Sequence, residues 1–233
     1  MHLFHCAHLS SDSVDLPEEE AHHAVHVLRL GPGARIGLLD GRGGRAEAEI
    51  TAAGKGRCTA VIRARTQAQA ERSARIHLAI APTKQSERLE WLVEKATEVG
   101  VDRITPLLTT RTERERLRTD RLQRVALAAM KQSQRAWLPR IDAPTALAAL
   151  ITDPLPAQRF FGWCAEQTAS LMEAYSPAED AVVLIGPEGD FDEAEARLLR
   201  ERGFRAVSLG NARLRTETAA IAAITWMSLA QQR

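Results

Sequence analysis

The sequence predicts an α/β fold: a parallel sheet covered on both faces by helices, preceded by a small barrel of short strands. Two observations carry that expectation. From residue 76 onward, strand-like apolar runs alternate with runs of helical period, the pattern of parallel strands joined by crossover helices. Before it, the first 65 or so residues break into short strand-like runs between glycine turns. The chain has 233 residues, 45% hydrophobic and 26% charged, so it is too apolar for disorder and suits one large domain or two small ones.

In the first part, residues 26–30 read as a strand before the turn at Gly31–Gly33. Arg35–Leu39 is a second strand, and Asp40-Gly41 is a hairpin signal after it. Residues 46–52 alternate, and 58–62 form another strand after Gly54-Lys55-Gly56. The polar stretch 66–73 lacks apolar anchors and reads as a linker. In the second part, 76–81 is a strand. Ser86–Val99 then puts Leu89, Leu92, Val93 and Ala96 on one helical face, with Gly100 as its stop. A strand over 101–108 is interrupted by Pro106, and a helix spans roughly 119–134. Further strands fall at 159–164, 181–185 and 206–209, and further helices at 192–202 and 217–231. Domains are therefore expected at 1–70 and 74–233.

Several functions are excluded by composition. No apolar run approaches the roughly 20 residues that span a bilayer. The opening MHLFHCAHLS has neither a basic region nor an apolar core, so no secretion signal is expected and the cytoplasm is the expected location. Cys6, Cys58 and Cys164 are odd in number and form no CxxC pair, which points to reduced thiols. His22 and His26 stand four apart, but no third ligand has suitable spacing; packing is the preferred reading and no metal is expected. The four tryptophans are scattered and read as core or interface residues, with Trp137, beyond a basic helix, the one candidate for stacking on a base.

Net charge is only +1, but its distribution is uneven. Residues 71–150 hold 15 basic and 10 acidic side chains, whereas 151–233 hold 8 and 12. Arg111, Arg114, Arg116, Arg118, Arg121 and Arg124 crowd one short span, interrupted by Glu113, Glu115 and Asp120. Such a span is either a solvated, ion-paired surface or a phosphate-binding one.

Ligands of open parallel sheets bind beyond the carboxyl ends of the strands. Two loops there are unusual. The first, Gly186-Pro187-Glu188-Gly189-Asp190-Phe191, follows a strand; its glycines permit positive φ and close backbone approach, and Asp192 with Glu195 suits a capping box on the next helix. The second, Leu209 to Thr218, precedes a helix of small residues, with Thr216 a candidate cap and Arg215 a fixed cation. Neither GxGxxG nor GxxxxGK[ST] is present, so a Rossmann or P-loop nucleotide site is not expected.

The sequence resembles the ribosomal RNA small subunit methyltransferase E family, uridine-N3 methyltransferases of the SPOUT superfamily. Six blocks carry the resemblance in order: HHAVHVLRLGPG (22–33), LDGRG (39–43), RLEWLVEKATEVGV (88–101), AMKQSQRAWLP (129–139), VLIGPEGDF (183–191) and LGNARLRTETA (209–219). The resemblance implies a PUA-like barrel that helps bind RNA, followed by a SPOUT domain with a deep trefoil knot, acting as a homodimer. It implies S-adenosyl-L-methionine as cofactor and methylation at N3 of a specific uridine in 16S rRNA of the small ribosomal subunit.

By the same resemblance, Gly186, Pro187, Glu188 and Gly189 hold the cofactor, together with Leu209, Gly210, Leu214, Arg215, Thr216 and Thr218. Phe161 and Gly162 form a third wall. Arg215 is expected to stabilise charge on the uracil, with Glu188 or Glu217 as candidate proton acceptors. Arg29, Arg111, Arg114, Arg118, Arg121, Gln132 and Arg135 are the expected RNA contacts. Asp190 departs from the pattern, standing where a second glycine is usual. A binding module without catalysis and a methyltransferase of tRNA or small molecules are the competing classes.

Overall fold

The computed structural model describes every residue except 55, 71, 115, 165–166 and 233, so the readings that involved Lys55 and Glu115 lie outside it. The chain divides into two compact units. The first comprises Met1–Ala70 and Leu127–Leu138, and the second Glu71–Ala126 and Pro139–Arg233. The expected division at about residue 70 left 127–138 in the second part, whereas these residues pack with the first.

The first unit is a five-stranded sheet of β1 (Leu3–His5), β2 (Ser13–Asp15), β3 (Arg35–Leu39), β4 (Gly44–Gly54) and β5 (Arg57–Gln67), in the order β1-β3-β4-β5-β2. β3 and β4 form the hairpin that Asp40-Gly41 announces, pairing antiparallel from Leu39 against Arg45 to Arg35 against Glu49. Phe4, Ile36, Leu38, Ile50 and Ala60 are sealed from solvent at its core. The strand expected at 26–30 is absent: α1 (Glu18–His22) runs into a π-helical turn at His23–Val27. The apolar Val27, Leu28 and Leu30 mimic a strand. Ala21 and Ala24, three residues apart, instead bury one helical face. The linker begins later than expected, since Thr66 and Gln67 still pair with Arg45 and Gly44.

Two of the resembling blocks meet inside this unit. Gly43, at φ +95°, donates its N–H to the Ala136 carbonyl, and a side chain there would sit 2.6 Å from the Trp137 ring. Only glycine satisfies both constraints. Trp137 remains 39% exposed, so it packs along one edge and offers the rest of its ring to solvent.

The second unit is a parallel sheet in the order β12-β10-β11-β6-β7-β8. Its strands are β6 (Ile76–Ile80), β7 (Arg103–Leu108), β8 (Arg140–Ile141), β10 (Gln158–Gly162), β11 (Ala181–Ile185) and β12 (Arg205–Val207), with β9 (Thr145–Ala146) also pairing with β7. Every residue of β6 and β11 is buried, as continuous apolar runs covered on both faces must be. The helices are α2 (Ser86–Val99), α3 (Thr119–Gln132, which runs into the 127–138 segment), α4 (Leu147–Leu150), α5 (Leu171–Ala174), α6 (Glu193–Glu201) and α7 (Thr216–Ala230). Asp192 and Glu195 form the expected capping box on α6. On α7 the expected cap is corrected: Arg215 is the N-cap residue, with no side-chain cap bond, and Thr216 is the first helical residue, buried. No helix among the described residues is long and apolar enough to cross a membrane.

Candidate active site

Beyond the carboxyl ends of β6, β10, β11 and β12, the second unit opens into a cleft of about 1520 Å³. That is larger than the roughly 300–1,000 Å³ of a typical small-molecule pocket. Three loops from neighbouring strands form most of its walls, with Lys84, Gln85 and Arg88 from the start of α2 and the residues before it completing them.

The loop after β11 is tightly held. The Asp190 N–H donates to the Pro187 carbonyl at 2.9 Å, closing a turn. The Arg111 guanidinium donates to the carbonyls of Gly189 and Phe191. The Phe191 ring turns down into the core, edge-to-face on Phe161 with centroids 5.9 Å apart. The positive φ expected at Gly186 or Gly189 falls instead on Asp190, at +62°. Gly186 is required for space: a Cβ there would lie 3.1 Å from the Phe191 amide nitrogen and 3.2 Å from its ring. Asp190 thus occupies a conformation that glycine adopts most easily and that aspartate tolerates better than most residues.

The loop after β12 is held far less. Ser208 bonds with Gly210 through its hydroxyl, but Asn211, Ala212, Arg213 and Arg215 are exposed. Arg215 lines the cleft with no ion pair among the described residues. Leu209, Gly210, Leu214 and Thr216 also line it. Glu217 and Thr218 do not: the helix turns Glu217 inward, and Thr218 faces solvent outside the cleft. After β10, Gly162, Trp163 and Cys164 supply the third wall. Phe161 is a correction. Strand alternation sends its ring away from the cleft into a cluster with Trp163 and Phe191, under the Arg200 guanidinium.

Sequence reasoning missed Arg88, on the first turn of α2. Its Nη1 lies 3.7 Å from Glu188 Oε1 and 3.8 Å from Glu217 Oε1, joining the two candidate carboxylates through one guanidinium. Glu188 keeps 52% of its side chain exposed and Glu217 only 11%, so Glu188 alone of the pair is open to a reactant. The signal was present in RLEWLVEKATEVGV, where an arginine opens a helix whose other residues explain its packing.

The expected RNA contacts split between the units. Arg29 is exposed in the first unit at φ +54°, as is Gln132, and Arg135 is half-buried there. In the second, Arg121 pairs with Glu90 at 3.0 Å, Arg118 lies 3.4 Å from Asp120, and Arg114 donates to the Lys84 carbonyl. Arg111 is the exception, since its guanidinium is turned onto the loop after β11. His22 and His26 stack at 4.9 Å, and no group of three metal-binding side chains occurs among the described residues.

A model described as RNA methyltransferase domain matches residues 70–228, and one described as RNA methyltransferase PUA domain matches 16–63. A ribosomal RNA small subunit methyltransferase E from Synechocystis is 32% identical over 220 residues, covering 91% of this chain and 71% of that protein. The chain belongs to the ribosomal RNA small subunit methyltransferase E family. Solved structures agree with the membership. A probable rRNA-methyltransferase from Porphyromonas gingivalis superposes with a TM-score of 0.92 at 38% identity, covering 100% of this chain and 99% of that one. The family member from Neisseria gonorrhoeae, bound to S-adenosyl methionine, superposes at 0.88 with 30% identity, covering 98% and 97%. The fold is thus the α/β, parallel-sheet architecture of this family, with its PUA domain.

Proposed function

We propose that this protein transfers a methyl group from S-adenosyl-L-methionine to N3 of a specific uridine in 16S rRNA of the small ribosomal subunit. One observation carries the reading: in a member of this family, strand-end loops line a cleft that holds both Arg215, without an ion pair among the described residues, and the exposed carboxylate of Glu188. The lining suits the cofactor, a ligand with both a sulfonium cation and a carboxylate, because Arg88 and Glu188 present both charges to it. Gly162, Gly186, Pro187, Glu188, Gly189, Leu209, Gly210, Leu214, Arg215 and Thr216 would hold it. When bound, it supplies a methyl group activated by its sulfonium.

The chain's own task is alignment and charge. Holding nucleophile and methyl donor in line removes several kcal/mol of barrier. Uridine N3 carries a weakly acidic proton, and its loss leaves negative charge on the uracil. Arg215 offsets that charge electrostatically. Glu188, open to the cleft, receives the proton or passes it to water; Glu217, tied to Arg88, orients that arginine instead.

The same reading takes in a PUA-like barrel over 1–70, completed by 127–138, and a SPOUT domain with a trefoil knot over the remainder of 74–233. It places Arg29, Arg114, Arg118, Arg121, Gln132 and Arg135 against RNA, and the protein in the cytoplasm. It includes a homodimer. α7 is apolar nearly all round, yet Leu229 is exposed, Ile221 and Trp226 are only half-buried, and Trp91 of α2 is exposed. Such a helix calls for a second covering surface. Sedimentation velocity of the purified protein gives twice the chain mass; a monomer at tens of micromolar removes the dimer from the reading.

The deciding experiment supplies labelled S-adenosyl-L-methionine with naked 16S rRNA, assembled small subunits and tRNA, and reads nucleosides by mass spectrometry. The expected product is 3-methyluridine in 16S rRNA or the subunit. Label in tRNA alone, or in none of the three, overturns the reading.

A further inference from the structure

Asp190 does more than fill a turn. Its Oδ2 accepts the backbone N–H of Cys164 at 3.2 Å, across 26 residues, while Oδ1 accepts its own neighbour's N–H, from Phe191, at 2.8 Å. Cys164 begins the segment that leaves β10, and Asp190 ends the turn that leaves β11. The two strands are adjacent and parallel, yet Phe161 opposite Leu184 is the last pair in their register. Beyond it the backbones diverge around the cleft, and among the hydrogen bonds of the described residues this carboxylate is what joins them again. Both Cys164 and Asp190 line the cleft.

We propose that Asp190 is a positioning residue that ties the segment after β10 to the loop after β11 and so holds two walls of the cofactor cleft at a fixed separation. The inference rests on the reading of the cleft as the S-adenosyl-L-methionine site. A glycine at this position keeps the backbone conformation but leaves the Cys164 N–H without this acceptor, so the tie depends on a side-chain oxygen here. Walls set in advance lower the ordering cost of binding, so the tether acts on affinity and not on the chemical step.

Cys164 provides an independent probe, because it is the exposed thiol while Cys6 and Cys58 are buried. Burial raises its pKa above the ordinary thiol value, and the neighbouring Asp190 charge raises it further. Removing the charge therefore speeds alkylation of Cys164 at neutral pH.

The test compares Asp190→Gly and Asp190→Asn with the wild type in calorimetric titration with S-adenosyl-L-methionine, and in amide hydrogen exchange at Cys164. Glycine relieves the positive φ, so a folding defect does not confound it; asparagine keeps one acceptor oxygen and loses the charge. Both variants are expected to alkylate faster. Asp190→Gly is expected to bind the cofactor roughly tenfold more weakly, the scale of one hydrogen bond, with kcat at saturation unchanged. Asp190→Asn, with one oxygen for the two N–H donors, recovers part of the affinity. Cofactor affinity in Asp190→Gly equal to that of the wild type overturns the proposal. If the wild type binds no cofactor, the functional reading fails instead. The tether is then judged by exchange alone: protection at Cys164 is lost in the glycine variant and kept in the asparagine one, and equal protection in all three overturns it.

Discussion

The two loops that dominate the cleft differ in how they are held. The loop after β11 is fastened by a turn, a buried ring, an arginine and an aspartate, so its backbone is set before any ligand arrives. The loop after β12 exposes four of the five residues 211–215 and leaves Arg215 without an ion pair among the described residues. A preset wall gives geometry at little ordering cost, whereas a loosely held cation follows charge as it develops. On the proposed function the first loop chiefly fixes the walls of the cleft, while the second brings Arg215 into it.

The sharpest way to break that comparison is Arg215→Ala. Loss of an electrostatic stabiliser is expected to lower kcat at saturating cofactor by about 100-fold or more, beyond any weakening of cofactor binding. A variant that methylates at the normal rate, or that fails to bind cofactor, ends the assignment of chemistry to this loop.

Next in size is Gly186→Ala. Its Cβ presses on the Phe191 amide and ring, so the fastened loop must shift; a cost of about 1–3 kcal/mol is expected, seen as a lowered melting temperature together with weaker cofactor binding. An unchanged melting curve would show that the loop is more compliant than its contacts imply.

The smallest effect near neutrality lies outside both loops and asks whether acid sensitivity belongs to the sheet. His77 on β6 is buried, bonded to Thr105, which in turn donates to Asp142. Burial lowers its pKa to about 4, with the Arg103 charge acting in the same direction. The unfolded chain then binds more protons than the folded one between pH 6.5 and 4, so this contribution is complete above pH 6.5 and declines as pH falls through that window. It amounts to about 3 kcal/mol at most. His77→Gln, which cannot titrate, flattens this part of a stability-against-pH curve; an unaltered slope assigns the acid sensitivity elsewhere.

How much was legible in the sequence follows from what each feature depends on. Buried strands such as Ala181–Ile185 are continuous apolar runs, and the β3–β4 hairpin is written in two adjacent residues, so local pattern suffices. β1 and β2 are three residues each, too short to show a period. Phe161 was assigned to the cleft by resemblance alone, and only the strand's placement decides which way its ring faces. Arg88 was overlooked because a lone arginine at the start of an amphipathic helix resembles any solvated side chain. Its meaning lies in Glu188 and Glu217, more than 95 residues away in the chain. Of the two reasons for the glycines of the first loop, close approach holds at Gly186, where a Cβ would press on Phe191, while the positive dihedral belongs to Asp190.

The packing of Trp137 on Gly43 reaches beyond the finished molecule to its making. Synthesis runs from the amino terminus, and domains generally fold as units as they emerge. Here the first unit lacks its last segment until Leu138 has left the ribosome, by which point β6, α2 and β7 of the second unit already exist as chain. The part of this protein that is made first is therefore completed late. During that interval the edge around Gly43, awaiting its tryptophan, is open to whatever else the nascent chain or its surroundings present.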